Sequence, residues 1–352
     1  MMDKLNIALV GVGYWGANYI RVLKQLKEVK LDYICDKDHS TLEKYRDVAD
    51  DVKLTDDVNE LAKDQNLQLI IVAAPASTHY EITKTMLEAR KHVLVEKPLT
   101  MNFGDAVKLV NLAKKMETTI MVGHIYRFNQ SVNYIENVLR SGRLGDLFYG
   151  VGLRIGLGPI RNDASCTWDL ATHDIAMLDF LLNKMPKRIS AHGSSFLRKG
   201  GEIYDYANVF LDYDDGFRFS FTVSWYAPEK IRTWYLMGSK GMLKFDDNKN
   251  PSITIYDKSV IVTPASENNI LNVDNILPKE GDTVVPYINQ SEPLMTEVRH
   301  FIESAKNGSI PLTDGWQGAR VVRVLEAIEE SIKNNGKLIT IKENEGDART
   351  WK

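Results

Sequence analysis

The sequence predicts an α/β protein that begins with a doubly wound parallel sheet and continues into an α+β region with an open, mostly antiparallel sheet. About the first 120 residues alternate short, β-branched-rich apolar runs with amphipathic stretches, which is typical of parallel sheets. After about Gly123, long alternating runs separated by Asp-Gly and Gly-Ser turns indicate antiparallel strands. We therefore predict two domains, residues 1–123 and 124–352, with C-terminal helices that could pack back on the first domain.

The first domain is predicted to contain short buried strands separated by helices. Five runs are short, apolar and rich in β-branched residues: Leu5–Val10, Leu31–Cys35, Leu69–Val72, Val93–Val95 and Thr119–Val122. Three amphipathic stretches between these runs predict helices: Tyr14–Leu26, Glu81–Ala89 and Phe103–Met116.

The second domain is predicted to contain longer strands and four helices. Six runs alternate like strands: Asp146–Ile155, Lys187–Ser195, Tyr206–Leu211, Phe217–Ser224, Thr233–Met237 and Met242–Phe245. Four stretches indicate helices: Gln130–Ser141, Leu170–Leu182, Glu292–Asn307 and Asp314–Asn335. Ile261–Val285 is Asn-rich and poorly patterned, and we expect a long loop there. The alternating side chains Phe217, Phe219, Phe221 and Val223 belong either to a face that pairs with another subunit or to the buried core.

Composition indicates an ordinary globular protein. A formal net charge of −3 over 352 residues offers no basic surface for sequence-independent binding of nucleic acid. Two cysteines, Cys35 and Cys166, are too few for a disulfide framework and suit a reducing compartment. No apolar run approaches the roughly 18 residues of a membrane span, and the N-terminus lacks a signal peptide's apolar stretch. We expect a cytoplasmic protein with no membrane or nucleic-acid partner.

A glycine motif follows the first predicted strand. Leu5–Val10 leads into Gly11-Val12-Gly13-Tyr14-Trp15-Gly16 and then into a helix. Gly11 allows the tight turn, Gly13 lets the backbone approach a pyrophosphate, and Gly16 lets helix and strand pack closely. The helix N-terminus supplies free N–H groups and a partial positive charge. This position at a strand–helix junction favours a Rossmann dinucleotide site, with Tyr14 and Trp15 in its loop, over a glycine-rich turn without a ligand.

The acidic residue at the end of the second strand predicts the choice of cofactor. Asp36 lies 20 residues after Gly16, where a carboxylate can hydrogen-bond both ribose hydroxyls. The same charge repels a 2′-phosphate, so the sequence favours NAD over NADP. Lys37 and His39 soften that preference, and a plain strand-end turn carboxylate is the alternative interpretation.

The segment after Leu69–Val72 reaches the same edge of the sheet, where ligands collect. It supplies four candidate cofactor-binding residues: Ala74, Pro75, Ser77 and His79. Ser77, or alternatively Thr78, could cap the following helix. His79 is interpreted as a satisfied histidine at a helix start rather than as a catalyst.

The next strand, Val93–Val95, runs into Glu96-Lys97-Pro98. This places Glu96 and Lys97 at the cofactor edge. A lysine beside a nicotinamide can hydrogen-bond a hydroxyl or carbonyl and stabilise developing alkoxide charge. Pro98 fixes the local turn, with a cis bond as one option. The alternative interpretation of Lys97 is a surface lysine before a turn.

A second candidate cluster lies in Trp168-Asp169-Leu170-Ala171-Thr172-His173-Asp174. On a helix, Asp169 and His173 are four residues apart and share a face. Asp169 could orient a sugar hydroxyl or polarise the histidine, and His173 titrates near neutrality and can take an alcohol proton. The alternative is a helix cap plus a core histidine. A metal shared with Cys166 is disfavoured because the spacing matches no recognised cage, so we predict no metal.

These motifs together resemble one family. Gly11–Gly16, Glu96-Lys97-Pro98 and Asp169-x-x-x-His173 occur in the order found in the glucose–fructose oxidoreductase/inositol dehydrogenase (Gfo/Idh/MocA) family, and the resemblance covers nearly the whole chain. It implies that Lys97, Asp169 and His173 form the catalytic group of an NAD-dependent oxidoreductase acting on a sugar-like secondary alcohol. It also implies that the second domain mediates assembly, as a homodimer or homotetramer.

A narrower resemblance concerns the substrate. Gly123–Asn129, Gly156–Asp163 and Val285–Ile288 are similar to the branch that acts on nucleotide sugars, although Gln130 stands where that branch usually has proline. This implies a UDP-N-acetylhexosamine, or its uronate, oxidised at the 3-hydroxyl. Besides Asp169 and His173, the expected substrate-binding residues are Tyr126, Arg127, Arg154, Arg161 and Trp168. Guanidinium groups suit a diphosphate, but salt bridges within the fold are the alternative.

Three other functions remain open. A related enzyme could oxidise inositol or a free sugar. An NAD-dependent glycosidase would oxidise C3 transiently with the same residues and recycle its cofactor. A non-catalytic NAD-sensing regulator is disfavoured, because a sensor does not need the proton-transfer groups Lys97, Asp169 and His173.

Overall fold

A computed structural model describes residues 4–46, 51–198, 201–263 and 275–342. The first sheet consists of six parallel strands in the order β3-β2-β1-β4-β5-β6. The strands are β1 (Leu5–Val10), β2 (Val29–Cys35), β3 (Lys53–Thr55), β4 (Leu67–Val72), β5 (His92–Glu96) and β6 (Ile120–Gly123). The strand order reverses between β1 and β4, and ligands bind at the carboxyl ends of the strands beside such a point. The predicted doubly wound sheet is confirmed.

The described helices around this sheet include the three predicted ones, each close to its predicted position, and two short helices that were not predicted. They are α1 (Gly16–Leu23), α2 (His39–Glu43), α3 (Val58–Lys63), α4 (His79–Glu88) and α5 (Phe103–Met116). The proposed cap of α4 is wrong, because no side chain caps its first turn. The Thr78 hydroxyl instead donates back to the Pro75 carbonyl at 2.7 Å.

The second sheet has nine strands in the order β16-β13-β12-β11-β7-β10-β9-β8-β17. They are β7 (Leu147–Ile155), β8 (Arg188–Ser194), β9 (Tyr206–Asp212), β10 (Arg218–Ser224), β11 (Ile231–Gly238), β12 (Met242–Asp246), β13 (Ile253–Tyr256), β16 (Thr283–Val284) and β17 (Ile339–Thr340). The pair β7–β10 is parallel and the other pairs are antiparallel. The expected open, mostly antiparallel sheet is therefore confirmed.

Four helices cover the second sheet and its junction with the first. They are α6 (Gln130–Arg140), α7 (Thr172–Leu182), α8 (Pro293–Asn307) and α9 (Gly315–Lys333). A π-helical turn, Thr167–Ala171, leads into α7. Helix α9 packs against α5, α7 and β8, and α8 packs against α1 and the short turn Ile125–Phe128. These contacts join the C-terminal helices to the region that begins the chain.

The two faces of the second sheet differ. Phe217, Phe219, Phe221 and Val223 are at most 2% exposed, so their interpretation as the buried side of the core is confirmed. On the opposite face, four apolar side chains of β7 and β11 are between 37% and 50% exposed: Tyr149, Val151, Leu153 and Tyr235.

The long loop predicted over Ile261–Val285 is wrong where the structure describes it. Strand β14 (Ser259–Thr263) pairs antiparallel with β15 (Asn275–Lys279), and residues 264–274 lie outside the described residues. Five apolar side chains of this ribbon are between 49% and 62% exposed: Val260, Ile261, Val262, Ile276 and Leu277. Because neighbouring residues on both faces are apolar, the alternation that marks a half-buried strand is missing. No described helix is long and apolar enough to span a membrane.

Candidate active site

The loop after β1 fits the diphosphate of a dinucleotide. Gly11 has a φ of +89°, and a Cβ there would stand 2.5 Å from the Ala74 nitrogen. A Cβ on Gly16 would stand 2.1 Å from the Gly11 carbonyl oxygen. Gly13 differs, because no heavy atom lies within 4 Å of the position its Cβ would take. Gly11 and Gly16 are thus required by close backbone packing, whereas Gly13 leaves the open space in which a pyrophosphate can approach the backbone.

Asp36 forms a hydrogen bond with the backbone of that loop. Its Oδ2 accepts a hydrogen bond from the Val12 N–H at 2.8 Å, and its Oδ1 accepts one from the Asp38 N–H at 3.0 Å. The carboxylate therefore holds the glycine loop, which is a role distinct from the predicted contact with the ribose. The sequence indicated the second of these roles but not the first.

Glu96 connects the glycine loop to the catalytic strand end. Its buried carboxylate accepts hydrogen bonds from Trp15 Nε1, from the Tyr19 hydroxyl at 2.6 Å and from the Lys97 N–H at 3.1 Å. Burial raises the pKa of Glu96, although these donors and the Lys97 charge act in the opposite direction. Trp15 is 39% exposed and Tyr14 is 87% exposed, so both loop side chains can reach a bound cofactor.

His79 joins two loops of the cofactor edge. Its ring is buried, with Nδ1 2.7 Å from the Pro98 carbonyl oxygen and Nε2 2.9 Å from that of Ala74. Burial lowers the pKa of His79, so the neutral ring donates to one of these carbonyls. This contact positions the loops rather than meeting a ligand. Pro75 and Ser77 are exposed beside it, and the Lys97–Pro98 peptide bond is cis.

Lys97, which follows the end of β5, contacts Asp169 in the π-helical turn that precedes α7. Lys97 Nζ donates to the Asp169 backbone carbonyl at 2.9 Å and to its Oδ1 at 3.1 Å, while Trp225 Nε1 donates to Oδ2 at 3.0 Å. Burial acts to raise the pKa of Asp169, but Lys97, Trp225 and Arg161 hold it below the ordinary value. The Lys97 and Asp169 side chains are 15% and 19% exposed, so the pair is open to a ligand.

His173 lies in the first turn of α7, four residues after Asp169, and its surroundings keep it neutral. Burial and the positive charges of Lys97, Arg154 and Arg232 lower the pKa of His173 well below its usual range. The edge of the Tyr126 ring packs against the imidazole, with ring centroids 5.2 Å apart. Among the described residues, no protein group hydrogen-bonds the ring. The imidazole is therefore available to accept a proton from a substrate.

A buried network forms the floor beneath His173. Arg154 is 3% exposed and donates to both carboxylate oxygens of Asp174, at 2.6 and 3.2 Å. Trp234 Nε1 also donates to Asp174, at 2.7 Å. The Tyr126 hydroxyl donates to Asp247 and accepts from Arg154. Arg154 therefore forms a salt bridge within the fold, which was the alternative to its predicted contact with substrate, because its guanidinium is already paired with Asp174.

Other expected substrate residues fall in different surroundings. Trp168 is 7% exposed and belongs to the hydrophobic core, whereas Tyr126 is 8% exposed and lies between His173 and the wall of a neighbouring cavity. The Arg127 guanidinium stacks on the Phe180 ring, with its central carbon 3.6 Å from the ring centroid. Arg127 also borders a cavity of about 210 Å³ between α7 and α9. Its hydrogen bond goes to Asn133, and none joins it to Lys97, Asp169 or His173. The positions of these residues along the chain could not reveal which way their side chains point.

Arg161 lies closer to the catalytic pair. It forms a bidentate salt bridge with Asp163 and approaches Asp169 Oδ1 at 3.7 Å, with about a third of its side chain exposed. Two residues were missed from sequence: Trp225, which holds Asp169, and Arg232, which lies opposite Arg154 in the sheet and acts on His173. Their place one residue after β10 and within β11 gave no signal. In the described part of the chain, no His, Cys, Asp or Glu cluster is arranged to hold a metal ion.

Comparison with known proteins is consistent with this geometry. The myo-inositol 2-dehydrogenase of Thermotoga maritima is 23% identical over 351 residues, 94% of this chain and 96% of that relative. The structure of a UDP-N-acetylglucosamine 3-dehydrogenase from Acidithiobacillus ferrooxidans matches with a TM-score of 0.77 and 18% identity, covering 95% of this chain and 99% of its own. A protein of gentamicin A biosynthesis, solved with NAD, matches with a TM-score of 0.81 and 20% identity over 97% of both chains. These two structures share the fold.

Models of a single family match both parts of the chain. The model described as an oxidoreductase family with an NAD-binding Rossmann fold matches residues 5–124. The model of the GFO/IDH/MocA C-terminal domain matches residues 132–244. The two matches together span well over half of the sequence and confirm the predicted resemblance. The chain belongs to the GFO/IDH/MocA family and is an NAD-binding oxidoreductase.

Proposed function

We propose that this oxidoreductase transfers a hydride between NAD and a secondary hydroxyl of a sugar, with Lys97, Asp169 and His173 as its catalytic group. One observation carries the proposal. A partly exposed lysine–aspartate pair stands beside a histidine kept neutral by burial and by neighbouring cations. That combination can hold an alcohol oxygen and remove its proton. It lies at the carboxyl end of β5, beside the residues proposed to hold the cofactor.

Each residue of the group has a distinct task. Bound NAD supplies the hydride acceptor. His173 takes the proton of the hydroxyl as the alcohol is oxidised, and in the reverse direction the protonated ring returns it to the carbonyl oxygen. The Lys97 ammonium stabilises the negative charge that develops on that oxygen. Asp169 and Trp225 hold Lys97 and each other in place, so the ammonium is directed before substrate arrives.

The residues proposed to hold NAD form a continuous edge. Gly13 leaves space for the pyrophosphate, Asp36 offers its carboxylate to the ribose, and the exposed Tyr14 and Trp15 flank the loop. Ala74, Pro75 and Ser77 line the neighbouring loop. Glu96 and His79 support this edge from beneath rather than touching the cofactor.

The proposed substrate is a UDP-N-acetylhexosamine or its uronate, oxidised at the 3-hydroxyl. Arg161 and Arg232 support this choice, because both are about a third exposed and both act on the catalytic group. Arg161 pairs mainly with Asp163 and Arg232 pairs with Asp247, and a diphosphate could compete for each guanidinium. The A. ferrooxidans structural match carries that activity in its name. Myo-inositol is the second candidate, because the T. maritima relative named for it matches along nearly the whole chain.

The substrate is tested by competition. We expect NADH to form with UDP-N-acetylglucosamine or its uronate at much higher kcat/KM than with myo-inositol or glucose. Arg161→Met should raise KM for the nucleotide sugar much more than KM for inositol, because only the nucleotide sugar carries a diphosphate. A free polyol that surpasses every nucleotide sugar would contradict the substrate assignment while leaving the dehydrogenase intact. Bond cleavage without accumulation of NADH would instead identify a glycosidase, and NAD binding with no turnover of any sugar would identify a sensor.

Assembly is proposed to use the exposed face of the second sheet. The apolar side chains Tyr149, Val151, Leu153 and Tyr235 form a neighbouring set on β7 and β11, which is the kind of patch that marks a protein interface. We expect a homodimer or homotetramer by light scattering, and Val151→Asp should shift it toward the monomer. A wild-type monomer at micromolar concentration would contradict this.

A further inference from the structure

Trp15 differs from the other two groups that donate hydrogen bonds to Glu96. Its indole belongs to the glycine loop and is 39% exposed, whereas the Tyr19 side chain is fully buried on α1 and the Lys97 N–H belongs to the backbone after β5. The Trp15 Nε1 and the Tyr19 hydroxyl both donate to Oε1 of Glu96, and the Lys97 N–H donates to Oε2 at 3.1 Å. Trp15 is therefore the donor that a ligand lying in the glycine loop can reach.

The carboxyl group of Glu96 has little room in which to absorb a movement of the indole. Glu96 is 8% exposed, and it lies opposite Gly123 where β5 pairs with β6. A Cβ on Gly123 would stand 3.2 Å from Cδ and from both carboxyl oxygens of Glu96, so the carboxyl group already fills the space that a larger residue would need. Because close packing transmits a displacement instead of absorbing it, a shift at Oε1 also reaches Oε2.

The same series of contacts continues to the catalytic pair. Oε2 of Glu96 holds the Lys97 backbone, while the Lys97 ammonium donates to the backbone carbonyl and to Oδ1 of Asp169, at 2.9 and 3.1 Å. We propose that Trp15 is a positioning residue, which transmits the occupancy of the glycine loop through Glu96 to Lys97. This inference rests on the proposed roles of the glycine loop in holding NAD and of Lys97 in catalysis.

This coupling makes the position of the catalytic lysine depend on the cofactor. The exposed part of the Trp15 indole loses its freedom when the loop is occupied, and the side chain is restricted to the conformation that donates to Glu96. The backbone of Lys97 is then held most firmly when the hydride acceptor is present. Because coupling between two equilibria is reciprocal, a Lys97 backbone that is held by Glu96 strengthens NAD binding by the same factor.

Hydrogen exchange of the Lys97 amide tests the coupling without any sugar. It is measured by mass spectrometry on overlapping peptides across the end of β5, with and without saturating NAD. Trp15→Phe keeps an aromatic ring but lacks the indole N–H, so the Lys97 amide should exchange roughly tenfold faster than in wild type, which is the size of one hydrogen bond to a charged group. Saturating NAD should slow this exchange in wild type and leave it nearly unchanged in Trp15→Phe.

Two matched variants separate the coupling from a merely structural effect. Tyr19→Phe removes the other donor to the same Glu96 oxygen, so exchange without NAD should again be faster, but NAD should restore the protection because Trp15 is intact. Trp316→Phe makes the same substitution at a partly buried position of α9, outside the glycine loop and the catalytic group, and should behave as wild type.

The NAD affinity of Trp15→Phe provides a second measurement. Reciprocity predicts that the affinity, measured by calorimetry, falls by about the factor by which NAD slows the exchange in wild type. Equal NAD-dependent protection of the Lys97 amide in Trp15→Phe and wild type would overturn the coupling. If the wild type binds no NAD, the proposed cofactor role of the loop fails, and the unliganded comparison still decides whether Trp15 holds Lys97. Equal exchange in the two unliganded proteins would overturn that link as well.

Discussion

The cofactor loop and the catalytic group solve different problems with different parts of the chain. The cofactor loop works through backbone and empty space: a positive φ at Gly11, a close approach at Gly16 and an open position over Gly13. The catalytic group works through side-chain charge, with Lys97 and Asp169 joined by contacts that span 72 residues of sequence. The cofactor loop is encoded by one local segment, whereas the catalytic group forms only when folding brings together residues that are distant in sequence.

Removing catalytic side chains should produce the largest effect. Lys97→Met and His173→Ala should each lower kcat by about 10²–10⁴-fold, the usual loss when a general acid–base group is removed. NAD affinity should be retained, because neither side chain belongs to the glycine loop. Lys115→Met, at an exposed position of α5, serves as the control. Near wild-type turnover in folded His173→Ala would remove this residue from the mechanism.

Two glycine substitutions should separate folding from binding within the cofactor loop. Gly13→Ala meets no protein atom within 4 Å and should change the free energy of unfolding by less than about 0.5 kcal/mol, yet weaken NAD by roughly tenfold or more. Gly16→Ala drives its Cβ into the Gly11 carbonyl and should cost roughly 1–3 kcal/mol of stability. Thermal unfolding and calorimetry distinguish the two. Equal NAD affinity in Gly13→Ala and wild type would show that the space over Gly13 is not the pyrophosphate site.

Replacing Asp36 should have a smaller effect on NAD binding, with two causes, because its side-chain charge is proposed to contact the ribose and its carboxylate also holds the backbone of the glycine loop. Asp36→Ala should weaken NAD by roughly tenfold, since the ribose loses an acceptor and the Val12 N–H loses its partner. Discrimination against NADP should relax in the same variant, because the charge that repels a 2′-phosphate is gone. Calorimetric titration with both cofactors measures this. Comparable affinity of the wild type for NAD and NADP would contradict the prediction.

The pH profile should reveal the electrostatics of the catalytic group. An ordinary histidine is half protonated near pH 6.5, but burial and three neighbouring cations hold the pKa of His173 well below that value. Its neutral, proton-accepting form should persist into mildly acidic solution, so kcat/KM for oxidation should fall only below about pH 6.5. Arg232→Met should move this acid limb upward by removing one positive charge. An acid limb at or above pH 6.5 in the wild type would be inconsistent with this picture.

Local chemistry explains which features could be predicted from sequence. The parallel strands, the glycine loop and Asp36 are encoded by short segments, and β1 and α5 lie where their patterns place them. Strand β3 and helix α2 were missed because three to five residues are too few to show a period. The ribbon of β14 and β15 was missed because its apolar residues are exposed on both faces.

Tertiary contacts explain the rest of the candidate site. Trp225 contacts Asp169 across 56 residues, and no motif marks that pairing. Arg154 looked suited to a phosphate, but the pleat of β7 points it inward toward Asp174.

The floor beneath His173 has a consequence for laboratory evolution of substrate preference. Arg154, Asp174, Trp234 and Tyr126 share hydrogen bonds in a buried layer, and replacing one member would leave a buried charge or polar group without a partner. A mutant library that randomises this layer should consist mostly of unfolded proteins. Diversity placed instead at a partly exposed position such as Arg161 leaves the layer intact, so new sugars can be sampled while the surroundings of the catalytic base stay unchanged.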